Sequence, residues 1–371
     1  MMSKVHLVHI TDTHYATVAE NIQIATTRSM LDLGWSLGSI ARGCLLKRHG
    51  VARAELRTLW PALLAQLTVL TRYLASQGSL AVVHSGDITQ AGQSDSLQVA
   101  VSELSGATRD AGDLHVLPGN HDVWPRDFPA FAPARTSLQA RFTRSVPGLP
   151  KQFPHHVNVG NVVDLVMLDS AVPDTMLNTS ALGRVDAELD GNVFVDQLSS
   201  VPRKQVQLRG AVMHHPPADL SSKGQSWWRA VQQSLPIGVG MVLLDAAQFR
   251  SRLQGCDVAF VLCGHEHAPP ATPEDALVHD GHLLILQAGC PSLVHGAGNN
   301  DDPQFSMYEL DFYTGRPKLH WYICHLEPLR WESFGSFEWD ATTRTWSTLR
   351  PGPVPSLLPG SGLPKAPPIT P

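Results

Sequence analysis

The sequence predicts an α/β fold, and three observations carry that expectation. Short apolar runs of strand length recur along the chain, leucines at helical spacing separate the first of them, and the runs end in polar residues able to bind metals or move protons. A rhythm of strand, helix and strand implies a sheet whose strand ends carry the site.

Val5 to Ile10 reads as a short buried strand with Thr11-Asp12-Thr13-His14 at its end. With the backbone still extended there, Asp12 and His14 project to one face and form a pair of metal ligands; the competing reading is a capping or turn role. Residues 20 to 55 hold Leu31, Leu33, Trp35, Leu37 and Ile40 among glycines, followed by Lys47-Arg48-His49. Helices packed on the domain are the favoured reading, ahead of a lid or a membrane-touching amphipathic piece. Glu55 to Ala75 is a clearer helix, with Leu56, Leu59, Leu63, Leu67, Leu70 and Leu74 on one stripe. Ser79 to His84 is the next strand and ends in Ser85-Gly86-Asp87, where the glycine permits close backbone approach. Ser94 to Asp110 is expected as a helix and Leu114 to Leu117 as the third strand. Pro118-Gly119 break that strand before Asn120, His121 and Asp122, which bring a neutral carbonyl oxygen, an imidazole and a carboxylate able to orient it.

After a segment containing Pro and Phe, Pro125 to Pro133, Val162 to Leu168 is a strand ending in Asp169-Ser170. Val206 to Met213 is another, ending in His214-His215-Pro216-Pro217, with Trp227 and Trp228 in the loop beyond. Val258 to Leu262 runs into Cys263-Gly264-His265-Glu266-His267. From His282 to His325 the alternation continues as strands, expected to form a second sheet that closes a sandwich. Eight prolines and three glycines in Pro351 to Pro371 predict a flexible tail, so the expected organisation is a catalytic domain over 1–350, with a helical insertion at about 20–55, and a tail over 351–371.

Composition narrows the function. A net charge of −5 excludes a general nucleic-acid-binding surface, and charged residues at 16% argue against disorder. The five cysteines form no CxxC pair and read as reduced thiols of a cytoplasmic protein. The N-terminus shows no long apolar region and no stretch approaches the length of a spanning helix.

Together the strand ends offer Asp12, His14, Asp87, Asn120, His214, His265 and His267, more than one four-coordinate ion needs. Two ions fit if Asp87 bridges them, and mixed imidazole and carboxylate donors favour zinc, manganese or iron.

The ordered set D-x-H, G-D, G-N-H-D, H-x-P and G-H-x-H, running from residue 12 to residue 267, resembles the calcineurin-like metallophosphoesterase superfamily. The resemblance implies a four-layer α/β/β/α sandwich of two mixed β-sheets flanked by helices. It implies phosphoester hydrolysis by a water ionised between two divalent ions. It puts Asp12, His14 and His267 on one ion and Asn120, His214 and His265 on the other, with Asp87 between them. His121 becomes the catalytic histidine near the phosphate and Asp122 its partner; His215 matches no ligand position and is read as lying behind the ligands.

Phosphoprotein phosphatases of this superfamily carry an aspartate-arginine pair after the G-D motif and a glutamate in G-N-H-E. Here Ile88-Thr89-Gln90-Ala91-Gly92 and Asp122 stand instead. The G-D-I-T-x-x-G form, HHPP and Leu168-Asp169-Ser170 resemble the bacterial cyclic-nucleotide (class III) phosphodiesterase branch, which also contains enzymes that cleave glycerophosphodiesters. The expected activity is thus a metal-dependent phosphodiesterase acting on a small phosphodiester. The alternatives are a phosphomonoesterase or protein phosphatase, a phospholipid-directed hydrolase touching the membrane through residues 31–48, and a partner-binding scaffold. A complete ligand set favours an enzyme over the scaffold, and a nuclease would want a basic groove.

Overall fold

The computed structural model describes residues 4–15, 59–89, 94–122, 150, 152–171, 185, 197, 206–218, 246–278, 280–291, 303–355 and 358. The expected insertion at 20–55, the segment 125–133 and the Trp227-Trp228 loop lie outside them. The first half contributes β1 (Val5–Ile10), α1 (59–75), β2 (Ser79–His84), α2 (Ser94–Ala107), a 3-10 turn (Arg109–Ala111) and β3 (Leu114–Val116). Next come β4 (His155–Val159), β5 (Val163–Met167), β6 (Leu208–Val212), α3 (Ala246–Gly255) and β7 (Phe260–Cys263). The chain continues through β8 (Leu277–Val278), β9 (Leu283–Gln287), β10 (Gln304–Asp311), β11 (Lys318–Leu326), β12 (Leu329–Asp340) and β13 (Thr345–Leu349).

These strands make two mixed sheets. One has seven strands in the order β13-β12-β11-β10-β1-β2-β3, and the other six in the order β4-β5-β6-β7-β9-β8. β1, β2 and β3 run parallel, as do β5, β6, β7 and β9; the antiparallel strands are added at their sides.

Side chains alternate across a strand, so β1 feeds two cores. Val5 and Leu7 enter the space between the sheets with Val83, Leu165, Phe260 and Trp321. Val8 and Ile10 point the other way, against Leu63, Leu67, Leu70 and Leu74 of α1 and Leu97, Ala100 and Leu104 of α2. The outer face of the six-stranded sheet packs Val166, Ala211, Val261 and Ile285 under Phe249 and Leu253 of α3. The layers therefore run α/β/β/α. Each fully buried leucine contributes about 1.5–3 kcal/mol relative to exposure, so the leucine stripe of α1 alone ties that helix to the sheet. No helix among the described residues is long and apolar enough to cross a membrane.

The sequence-based expectations need correction in three places. Residues 282–325 do not form a sheet of their own: β9 joins β7, while β10 pairs antiparallel with β1 on the side away from β2 and β11 extends that sheet. The second sheet is built from the middle of the chain and also includes β4. The helix expected to reach Asp110 ends at Ala107, where Thr108 returns its hydroxyl to the Leu104 carbonyl and a 3-10 turn follows. The expected tail begins held down, because Val354 packs against the α1/α2 core and Leu358 is buried within it.

Candidate metal centre

All seven expected ligands are in the described part of the chain, at most 5% exposed apart from His267, and they follow the carboxyl ends of five strands. Asp12 and His14 follow β1, Asp87 follows β2 and Asn120 follows β3, all from the seven-stranded sheet. His214 follows β6, and His265 and His267 follow β7, from the six-stranded sheet. They converge in two groups. In the first, the Nε2 atoms of His14 and His267 stand 3.2 Å apart, and Asp12 Oδ1 lies 3.2 Å from the second of them. In the second, His214 Nε2 is 3.0 Å from Asn120 Oδ1 and 3.1 Å from His265 Nδ1. Asp87 Oδ2 faces both groups, 4.0 Å from His14 Nε2 and 3.4 Å from His214 Nε2.

Convergence does not come from extended strands, as the i, i+2 spacing suggested. Asp12, His14, Asp87, His265 and His267 have φ of 53°, 47°, 53°, 72° and 64°. The chain turns left-handed at each, which swings the side chain inward while the next turn is held by backbone bonds such as Asp12 N to Gly86 O and His14 N to Asp87 O. Such turns need room. A Cβ on Gly264 would overlap Thr11 Oγ1 and Asp12 Oδ2, and one on Gly119 would overlap Asp87 N and Oδ1.

The electrostatics call for cations. Burial would push the Asp12 and Asp87 carboxyls up, but facing imidazoles, His267 for Asp12 and His214 for Asp87 first among them, hold both well below the usual range. His214 Nδ1 lies 3.1 Å from the Ser85 carbonyl and donates its proton there. Its Nε2 lone pair then confronts Asn120 Oδ1, also an acceptor, at 3.0 Å. Two acceptors that close require a positive species between them. A proton is the smallest, and although burial pushes the His214 imidazole down, Asp87 outweighs burial and lifts it to about 9. His265, pushed down to about 3 by burial and by His214, stays neutral, as a ligand must. The donor set fits divalent cations: two carboxylates, one amide oxygen and four imidazoles, with His14 Nδ1 and His265 Nε2 buried and without hydrogen-bond partners among the described residues.

A sequence profile of the calcineurin-like phosphoesterases matches residues 5–269. The chain belongs to this family. No curated protein matches its sequence. Among solved structures it is similar to GAP50, the anchor in the inner membrane complex of Plasmodium, at 10% identity and TM-score 0.41 over 90% of this chain and 89% of that one. It is also similar to a Vps29 double mutant from Entamoeba histolytica, at 11% identity and TM-score 0.30 over 73% of this chain and 89% of that one. Scores this low carry no argument about what this calcineurin-like phosphoesterase does.

The remaining site residues divide. His121 lies beside the ligands, its ring 4.8 Å from that of His14 and its Nε2 3.9 Å from Asp87 Oδ2. Asp122 does not play the expected part. Its Oδ2 accepts from Ile88 N and Gly119 N, and its Oδ1 from Thr89 N and Thr89 Oγ1. Four donors fill the four lone-pair sites of a carboxylate, leaving none with which to orient His121. Asp122 instead locks the turn after β2 to the turn after β3. Burial, then the charge of Asp87, pushes it up to about 7 against those donors.

Sequence reasoning missed the supports behind the ligands. Thr13 gives its hydroxyl proton to Ile88 O, so His84 Nε2, 3.1 Å away, donates to Thr13 Oγ1 while His84 Nδ1 accepts from Gly86 N. Thr11 Oγ1 donates to Asp12 Oδ2 at 2.6 Å, and the Cys290 thiol donates to the Asp12 carbonyl at 2.8 Å. The available signal was a polar residue at the end of each buried strand, His84 above all.

Proposed function

We propose that this metallophosphoesterase holds two divalent ions and is a phosphodiesterase for a small phosphodiester, a cyclic nucleotide or a glycerophosphodiester. The observation that carries the two-ion reading is Asp87 Oδ2, a single carboxylate oxygen facing ligand nitrogens of both groups. Asp12, His14 and His267 would hold one ion, Asn120, His214 and His265 the other, and Asp87 both. Ions bound there supply an ionised water near neutral pH and neutralise phosphoryl oxygens, which suits an anionic substrate despite the chain's net charge of −5.

His121 stands at the opening of the centre, with 11% of its side chain exposed, where it can give a proton to a departing oxygen. The preference for diesters rests on the residues after Asp87. No arginine stands in Ile88-Thr89-Gln90-Ala91-Gly92, the stretch in which a protein phosphatase of this family would bring one. A dianionic monoester wants a bidentate cation of that kind.

Residues 20–55 are the natural determinant of which diester. The described residues on either side of that segment approach each other: Tyr15, next to His14, has its ring 4.8 Å from that of Trp60 near the start of α1, tilted by 48°. The test is a panel of cyclic nucleotides, glycerophosphodiesters and matched aryl mono- and diesters offered to metal-reconstituted protein. Diesters are expected to be cleaved faster than the matching monoesters. Monoester turnover at or above the diester rate overturns the phosphodiesterase reading. Replacing residues 22–50 by a Gly/Ser bridge is expected to reorder the diesters with bound metal retained.

A further inference from the structure

Ser170, after β5, ties down the two histidines that follow β6. Its Oγ accepts the backbone N–H of His214 and of His215, each at 3.1 Å, and lies 3.0 Å from His215 Nδ1. A serine hydroxyl has two lone pairs and one proton. The backbone takes both lone pairs, so the proton goes to His215 Nδ1, and the neutral His215 ring carries its own proton on Nε2.

The neighbouring histidines are thereby set in opposite senses. His214 donates from Nδ1 to Ser85 O and turns Nε2, the atom offered to a cation, toward Asn120 and His265. His215 accepts at Nδ1 and keeps an N–H at Nε2, which makes it a poor ligand and a good donor. That Nε2 is buried and has no hydrogen-bond partner among the described residues. The His215 ring nevertheless stands 4.4 Å from the ring of His265 and 4.9 Å from that of His214, and one ring nitrogen of each of the three lies within 4.8 Å of the others. An unpaired buried N–H is costly, whereas a phenyl ring of similar size would carry no such penalty. Among the described residues nothing offers this N–H an acceptor, and the ring contacts put it beside the His214–His265 group.

We propose that His215 is an anion-binding residue, its Nε2–H donating to a phosphoryl oxygen held at the Asn120–His214–His265 group. The inference rests on the metallophosphoesterase reading of that group.

The test uses the full chain loaded with its metals, with inorganic phosphate as the probe, followed by calorimetry and elemental analysis. His215→Asn keeps a polar atom opposite Ser170 but nothing at the Nε2 position; His215→Gln carries an amide N–H out to that position. The Asn variant is expected to bind phosphate roughly tenfold to hundredfold more weakly with metal content unchanged, and the Gln variant to stay close to wild type. Wild-type affinity in the Asn variant, equal losses in both variants, loss of metal from either, or a wild type that binds no phosphate each overturns the proposal. Should the variants not fold, ring-nitrogen resonances of the wild type decide: a protonated Nε2 supports it and a protonated Nδ1 overturns it. A wild type that binds phosphate through His215 but cleaves no diester removes the phosphodiesterase reading and leaves this one standing.

Discussion

Left-handed backbone occurs at five of the seven expected ligands. A non-glycine residue there carries of order 1–3 kcal/mol, least for Asp, Asn and His, the types found. Cations bound among Asp12, His14, Asp87, His265 and His267 would offset that strain, and Asp87, facing both groups, would be shared between them. Asp87→Ala is expected to reduce bound metal from near two ions per chain to near none, whereas Asn120→Ala leaves about one; elemental analysis of the two variants checks it. Gly264→Ala places a methyl on Thr11 Oγ1 and Asp12 Oδ2 and is expected to lose the ion held by Asp12 as well as lower the melting temperature. For His121 the expected signature is chemical. His121→Ala should slow alkoxide-leaving diesters far more than nitrophenyl ones, at unchanged metal content, and equal slowing would move the residue from proton donation to anion binding. At this scale the types and spacings of the residues that converge were plain in the sequence, because few residue types bind metals. Backbone handedness was not, because Asp-x-His carries no mark of its φ. Nor was the engagement of Asp122 by Thr89 and Gly119, which are close only once two turns have folded.

Among the elements, β1 carries a buried charge question as well as a core. His9, on its inner half, meets Ser85 Oγ at 2.8 Å and Tyr308 OH at 3.3 Å, and burial, with His84 adding, pushes it down to about 3. A folded-state value below the unfolded 6.5 means the unfolded chain binds the proton first. The stabilisation is therefore whole above about pH 6.5 and is lost as pH falls toward 3, by on the order of 5 kcal/mol. His9→Gln should flatten that part of the profile of denaturant midpoint against pH relative to wild type; an unchanged slope would mean His9 already titrates normally in the fold. Strands with one apolar surface or two were legible here, as was the leucine stripe of α1. β12 and β13 were not, since Ser333, Gly335, Ser336 and Glu338 dilute the apolar alternation of β12 and its first half is largely exposed. A buried hairpin partner, not its own composition, makes β12 a strand.

For the molecule as a whole, each ligand group draws on both sheets, so bound ions are cross-links between the layers. Stripping them with a chelator is expected to lower the melting temperature by several degrees, since saturation at a hundred times Kd is worth about 2.7 kcal/mol, and re-adding metal should restore it. A melting temperature indifferent to chelator would mean the sheets are held by the intersheet core alone. The α/β class and the placing of the site at strand ends were legible from rhythm. The assignment of strands to sheets was not, because β10 and β2 flank β1 from nearly opposite ends of the chain and nothing local announces that pairing.

That pairing bears on how the protein is made. On a ribosome, β1, β2 and β3 emerge well before β10, and β1 leaves one edge unpaired until Gln304 and the rest of β10 have been synthesised. Both faces of β1 are buried in the finished protein, so in the nascent chain it is an apolar strand with an open edge, the kind that other chains recruit. A chain ended just before Gln304 would own every expected metal ligand and still be expected to precipitate; the last fifth is what keeps β1 to itself.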